Sequence, residues 1–240
     1  MLNSQQLAAV HYINGPLLVL AGAGSGKTRV ITQKIAYLIE RCGYDARSIV
    51  AVTFTNKAAN EMRLRVAQVL PTAKRRGLKV ATFHTLGLQI IKRDLAYCGL
   101  RTGFSIFDSD DCQQLIRSYL PTNRANEREH VMRIQQQLSR WKNDLQSPES
   151  LTINPPSSDF FVEAISIYAR YQKALNAYNA VDFDDLIRLP VELLRHYPEV
   201  LLRWQHTIRH LLIDEYQDSN TSQYLLMTLL TGTRAHFTVV

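Results

Sequence analysis

At 240 residues and 46% hydrophobic content, the chain can bury a core in one or two domains, and no run of about 18 apolar residues offers a membrane span. The opening Met1-Leu2-Asn3-Ser4-Gln5-Gln6 lacks a basic segment followed by an apolar one, so no secretory signal is expected. Cys42, Cys98 and Cys112 are too few and too widely spaced for a metal site or a disulfide framework, so a reducing, cytoplasmic setting is expected. The net charge of +7 is uneven: residues 1–100 hold 14 Lys/Arg against 4 Asp/Glu (+10), and residues 101–240 hold 14 against 17 (−3). A basic excess of this kind suits a polyanionic partner such as nucleic acid or nucleotide, or else forms a solvated surface.

In chain order, Leu17–Ala21 reads as a buried strand followed by a glycine-rich turn. Thr28 to about Arg41 reads as a helix, with Val30, Ile31, Ile35, Leu38 and Ile39 at helical spacing. Ile49–Thr53 is a second strand, Ala58–Leu70 a second helix and Leu78–Thr82 a third strand. This βαβαβ order predicts a parallel sheet with crossover helices. From about His84 to Arg195 the pattern turns helical, with candidates at Ser109–Leu120, His130–Asp144, Asp159–Tyr178 and Phe183–His196 and one extended stretch at Ser105–Phe107. Pro121-Thr122-Asn123 and Ser147–Ser158 read as loops, and strands return at His210–Ile213 and Phe237–Val240. The simplest account is an α/β domain interrupted by a helical insertion. A buried strand running into the end of the sequence suggests truncation.

Two segments carry chemistry. Ala21-Gly22-Ala23-Gly24-Ser25-Gly26-Lys27-Thr28 lies between a strand and a helix, the context a phosphate loop requires. Its glycines let backbone amides wrap phosphate oxygens, and the helix adds its positive end. Lys27 is placed for the β- and γ-phosphates and the Thr28 hydroxyl for Mg²⁺. Ala21 departs from the general pattern, which has glycine there. In Leu211-Leu212-Ile213-Asp214-Glu215-Tyr216-Gln217-Asp218, two acids end an apolar strand. Asp214 suits a metal-holding role and Glu215 that of a base for the attacking water. Trp141 and Trp204 read as packing, Lys74-Arg75-Arg76 as a solvated loop, and Asp182, Asp184 and Asp185 as a helix start instead of a metal cluster.

AGAGSGKT at 21–28, VTFTNKAANEM at 52–62, TFHTLG at 82–87, DFDDL at 182–186 and LIDEYQDSN at 212–220 together resemble superfamily 1 DNA helicases of the UvrD/Rep type, nearest the Rep branch. These motifs stand in family order across essentially the whole chain, and alanine at the first loop position is usual there. The resemblance implies a RecA-like, P-loop NTPase fold, with residues 1–87 and 196–240 as the ATP-binding domain and 88–195 as a helical insert. It further implies ATP and Mg²⁺ as cofactors. Gln6, beside Gln5, would read the adenine edge, since an amide offers a donor and an acceptor. Ala23, Gly24, Ser25, Gly26, Lys27, Thr28 and Arg29 would lie around the nucleotide, with Thr28 and Asp214 on the metal. Glu215 would be the catalytic base, and Gln217 would link the γ-phosphate state to DNA. Phe54, Asn56, Lys57, Thr82 and His84 would line a single-strand path, the aromatic stacking on bases without reading them.

The activity implied is 3′ to 5′ translocation on single-stranded DNA, with a 3′-tailed or forked duplex as the family's substrate. The family's next motif should begin right after Thr238-Val239-Val240, and its second motor domain supplies arginines to the transition state. These residues alone are therefore expected not to unwind DNA, and the truncated sheet edge is expected to favour self-association. Two other readings compete. A nucleotide switch has no need of the 52–62 and 82–87 motifs. A catalytically deficient DNA- and ATP-binding module regulating a full-length helicase predicts salt-dependent DNA affinity without turnover.

Overall fold

The computed structural model describes residues 2–22, 24–121, 127–153, 158–232 and 236–240. The chain divides into two compact units. The first comprises Met1–Leu86, Leu194–Ser219 and Tyr224–Val240, and the second Gly87–Leu193 with Asn220–Gln223.

The first unit is built on a parallel sheet. Its strands are β1 (Leu17–Leu18), β2 (Ile49–Thr53), β3 (Lys79–Thr82), β6 (His210–Ile213) and β7 (Phe237–Val239), in the spatial order β1-β7-β6-β2-β3. Every pairing is parallel, with Ala51 opposite Val80 and Leu212, and Leu212 opposite Thr238. Strands β2 and β6 are buried at every residue, because a parallel sheet covered by helices has no wet face. Around the sheet run α1 (Ser4–His11), α2 (Lys27–Glu40), α3 (Asn56–Val69) and α10 (Pro198–Thr207). The apolar stripe of α2 enters a core shared with α3, β2 and β6, where Ile31, Ile35, Leu38, Ile49, Met62 and Leu212 are fully buried. Trp204 of α10 is buried, with the Lys79 ammonium 5.4 Å from its ring centroid.

The expected parallel sheet flanked by helices is found, with two corrections. Leu17–Ala21 is no buried strand. It keeps two ladder residues at the sheet edge, where β7 is the partner, and Leu20 is 87% exposed as the chain leaves for the loop. The strand that ends the sequence is not an edge, because β7 lies between β1 and β6.

The second unit is mostly helical. It contains the two-stranded parallel pair β4 (Ser105–Ile106) and β5 (Ala180–Val181), together with α5 (Ser109–Arg117), α6 (Arg128–Asn143), α7 (Pro148–Ile153) and α8 (Asp159–Ala177). Its core joins Val131, Ile134, Leu138, Trp141, Ala164, Tyr168, Tyr171 and Leu175, and the Trp141 and Tyr168 rings stack at 6.0 Å. Helices α4 (Phe83–Arg93), α9 (Asp185–His196) and α11 (Thr221–Thr231) each carry residues of both units. The 147–158 stretch is not all loop. Pro148 opens α7, where its fixed φ suits a first helical turn, and the Ser147 hydroxyl accepts from the Ser150 amide. The residues at 122–123 and 154–157 lie outside those described.

Gly87 has a geometric reason. A Cβ there would stand 1.8 Å from the Leu186 carbonyl oxygen and 3.4 Å from Pro190. Pro190, inside α9, has no N–H to give that carbonyl four residues back, and only a glycine fits against it. Among the described residues no helix is long and apolar enough to cross a membrane.

Candidate functional site

The site is assembled at the C-terminal ends of the parallel strands, where open α/β sheets hold their ligands. After β1 the chain turns tightly, the Ser25 hydroxyl and amide both bonding to the Gly22 carbonyl. Gly24 and Gly26 take φ of 76° and 86°, left-handed values that side-chain-bearing residues resist. Gly26 is the N-cap of α2 and offers no side chain, and the first turn of α2 carries no acid. Its leading amides and positive end therefore face the loop, a disposition that suits phosphate. Ala23 lies outside the described residues. Arg29 is exposed on the first turn of α2.

Central strand β6 ends facing this loop. The Asp214 amide still bonds to the Val52 carbonyl at 3.0 Å, and Glu215 then turns with a left-handed φ of 57°. A non-glycine residue held there is strained, and such strain collects where function demands an orientation. The two acids meet the two residues that end the loop. Lys27 Nζ donates to Glu215 Oε2 at 2.9 Å, and the Thr28 hydroxyl donates to Asp214 Oδ2 at 3.0 Å. The Gln217 amide also donates to Glu215 Oε2.

The two carboxylates differ in environment. Burial pushes the Asp214 carboxyl up, the Thr28 hydrogen bond only partly offsetting it, while adjacent Glu215 pushes the same way. The hydrogen bonds from Gln217 and then Lys27 hold Glu215 down, so it is ionised at neutral pH. Asp214 is 4% exposed, and its Oδ1 is buried without a hydrogen-bond partner among the described residues. An unpartnered buried carboxylate oxygen beside a threonine hydroxyl and a phosphate-type loop fits a hard cation. Magnesium is commonly held by one or two carboxylates together with substrate phosphates. Among the described residues no group of three or more His, Cys, Asp and Glu side chains is placed to hold a metal. A cavity of about 300 Å³ lies beside Lys27, lined by Leu18, Leu20, Tyr216, Gln217 and Val240.

Gln6 enters from α1. Asn3 and Gln6 form a reciprocal cap, the Asn3 amide donating to Gln6 Oε1 at 2.9 Å, and Gln6 Nε2 donates to the Ser25 carbonyl at 2.9 Å. One N–H and one lone pair of the amide remain, the pair a nucleobase edge requires. Gln5 is exposed.

The nucleic-acid candidates line the neighbouring strand ends. Thr53 and Thr82 are register partners, which brings the rings of Phe54 and Phe83 to 5.5 Å, edge to face. Thr55 caps α3, leaving Asn56 and Lys57 exposed on its first turn. Thr82 is 6% exposed and its hydroxyl accepts from the Thr85 amide, so its side chain starts α4. His84 is half-buried, and burial pushes its imidazole down.

Sequence reasoning missed the buried cations. Lys34 lies fully buried on the apolar face of α2, a position legible as a lysine interrupting the stripe of Val30, Ile31, Ile35 and Leu38. In the second unit, Lys142 and Arg188 neutralise Asp182 and Asp185, which do start α9 as a capping pair, the Asp185 amide donating to Asp182 Oδ1 at 3.0 Å.

A glycine-rich loop between the first strand and a helix, facing an acidic pair on the central strand, defines the phosphate-loop class of nucleoside-triphosphate-binding α/β proteins. The chain belongs to the UvrD/REP helicase N-terminal domain family, whose model matches residues 2–240. It is 51% identical to the ATP-dependent DNA helicase Rep of Escherichia coli, over 100% of this chain and 35% of that protein. It is 38% identical to the ATP-dependent DNA helicase PcrA of Leuconostoc citreum, over 100% of the chain and 32% of the relative. With the ATP-dependent DNA helicase UvrD1 of Mycobacterium bovis the identity is 41%, over 96% and 30%. The chain thus spans about a third of the length of these relatives.

Proposed function

We propose that this chain is the ATP-binding part of a DNA motor, moving 3′ to 5′ along single-stranded DNA and acting on tailed or forked duplexes. The observation that carries this reading is the meeting of Lys27 with Glu215 and of Thr28 with Asp214. Residues 1–87 and 196–240 form the nucleotide domain and 88–195 the insert. Thr28 and Asp214 would hold Mg²⁺, which supplies charge neutralisation to the phosphates. Gly24, Ser25, Gly26 and the leading amides of α2 cradle phosphate oxygens, Arg29 flanks them and Gln6 takes the adenine edge. The Glu215 carboxylate accepts a hydrogen bond from Lys27 Nζ. Lys27, on engaging a γ-phosphate, would release Glu215 to accept a proton from the attacking water. Gln217, already bonded to Glu215, registers the exchange and is placed to pass it on. Phe54, Asn56, Lys57 and His84, with Thr82 setting the turn, form the single-strand path. Self-association is assigned to the β1 edge, where Leu18 and Leu20 are exposed.

The test is Mg·ATP binding and turnover with and without single-stranded DNA, beside Lys27→Ala and Glu215→Gln. We expect these residues alone to bind Mg·ATP and hydrolyse it slowly, and not to separate a tailed duplex. Lys27→Ala should lose binding, and Glu215→Gln should keep binding and lose turnover. Undiminished ATP binding in Lys27→Ala removes the reading.

A further inference from the structure

We infer that Lys34 is a positioning residue for the nucleobase end of the ATP site, its ammonium docking the C-terminal end of α1 onto α2 and so setting where Gln6 stands. The inference rests on the reading of the loop as an ATP site. Lys34 is fully buried, seven residues along α2 from Lys27, and its Nζ donates to the carbonyls of Ala9 at 3.0 Å and Tyr12 at 2.5 Å. These are carbonyls at the end of α1. The Tyr12 amide satisfies only that of Ala8, and a helix end otherwise leaves such acceptors to water. A cation there also meets the negative end of the α1 dipole.

The arrangement is costly for packing alone. Among the described residues no carboxylate forms an ion pair with Lys34, and burial pushes its ammonium down to about 8. A methionine would fill the same space without desolvating a charge. What the ammonium supplies is location. Helix α1 has one buried residue, Val10, so little apolar area fixes it in place. Its position rests on directed contacts: Lys34 at one end, the His11–Tyr37 ring pair at 4.7 Å, and the Gln6–Ser25 bond at the other end. Releasing one end of an eight-residue helix swings the other, and the other end carries Gln6.

The test separates the base from the phosphates. Affinities for Mg·ATP and for Mg·tripolyphosphate, which lacks a base, are measured by calorimetry for the 240-residue chain, Lys34→Met, Gln6→Ala and the double variant. We expect Lys34→Met to weaken ATP about tenfold, the size of one mispositioned hydrogen bond, to leave tripolyphosphate unchanged, and to add nothing to Gln6→Ala. Equal losses for both ligands, full additivity with Gln6→Ala, or no loss for ATP overturns the inference while leaving the site reading intact. Absence of ATP binding in the unmodified chain removes both. Should Lys34→Met not fold, Lys34→Gln keeps an uncharged NH2 donor group on a shorter side chain, and the same selective loss for ATP, smaller in size, is expected of it. Equal or absent losses there also overturn the inference.

Discussion

Replacing Lys142 by methionine withdraws one of two cations from a carboxylate cluster sealed inside the second unit. The Lys142 ammonium, 1% exposed, lies 2.6 Å from Asp182 and 3.0 Å from Asp185. Tyr171 still donates to Asp182 at 2.9 Å, and Arg188 still faces Asp185 at 2.8 Å, so neither acid is left wholly bare. Breaking a buried pair by removing one partner costs about 3–5 kcal/mol, and the surviving contacts place this case near 3 kcal/mol. Burial pushes the Asp185 carboxyl up, but Lys142 and Arg188 outweigh it and hold the group well below the usual carboxylate range. A depressed carboxylate adds stability that is present above its unfolded value of 3.8 and lost as pH falls through its folded value. The gap between wild type and Lys142→Met is therefore full at pH 7 and narrows as pH falls below 3.8 toward the depressed folded value. The two tryptophans make the assay specific, Trp141 reporting on the second unit and Trp204 on the first. In a Trp204→Phe background, urea unfolding followed at Trp141 should shift its midpoint down by about 1.5 M, for a slope of about 2 kcal/mol per molar. Adding Asp182→Asn should restore part of the loss by removing the uncompensated charge, although one amide oxygen cannot accept from both Tyr171 and the Asp185 amide. A loss below about 1 kcal/mol, the size of a surface pair, would refute the reasoning.

Gly87→Ala places a methyl 1.8 Å from the Leu186 carbonyl oxygen, so a backbone must move, and a loss of about 3 kcal/mol or more is expected in the same Trp141 experiment. His210 is fully buried and its imidazole is pushed down to about 3 by burial, then by Lys34 and His236. The unfolded chain binds the proton from 6.5 downward and the fold does not, so stability is complete above 6.5 and falls as pH drops toward 3. His210→Leu should remove about 1.4 kcal/mol per pH unit from that slope, and an unchanged slope would show His210 to be protonated in the fold. Asp214→Asn should raise the metal-free melting temperature, by relieving a carboxylate disfavoured by burial, and abolish the upward shift produced by Mg·ATP. A lower metal-free melting temperature would mean that Asp214 is stabilising by itself.

Much of this protein was legible along the chain because the signals are local. The stripe of Val30, Ile31, Ile35 and Leu38, the unbroken apolar run Ile49–Thr53 and the glycine spacing before Lys27-Thr28 each follow from helical period, sheet burial and left-handed turns, which act over a few residues. The acidic pair at 214–215 was readable for the same reason, as charge closing an apolar strand. The Asn3–Gln6 cap that starts α1 was equally local, yet its helix is too short to show an apolar period. What only the tertiary structure decided depends on partners far apart in sequence. Leu17–Leu18 became an exposed edge because β7 pairs it on one side, 220 residues later. The place of Lys34 in the apolar stripe of α2 marks it as buried, but only packing shows that it caps α1 and that Lys142 neutralises Asp182 and Asp185. Gly87 is required because α9 brings the Leu186 carbonyl against it. The strain at Glu215 exists because strand β6 and the Lys27 loop together specify where its carboxylate must stand. Local periodicity carries no information about which distant backbone or charge will arrive.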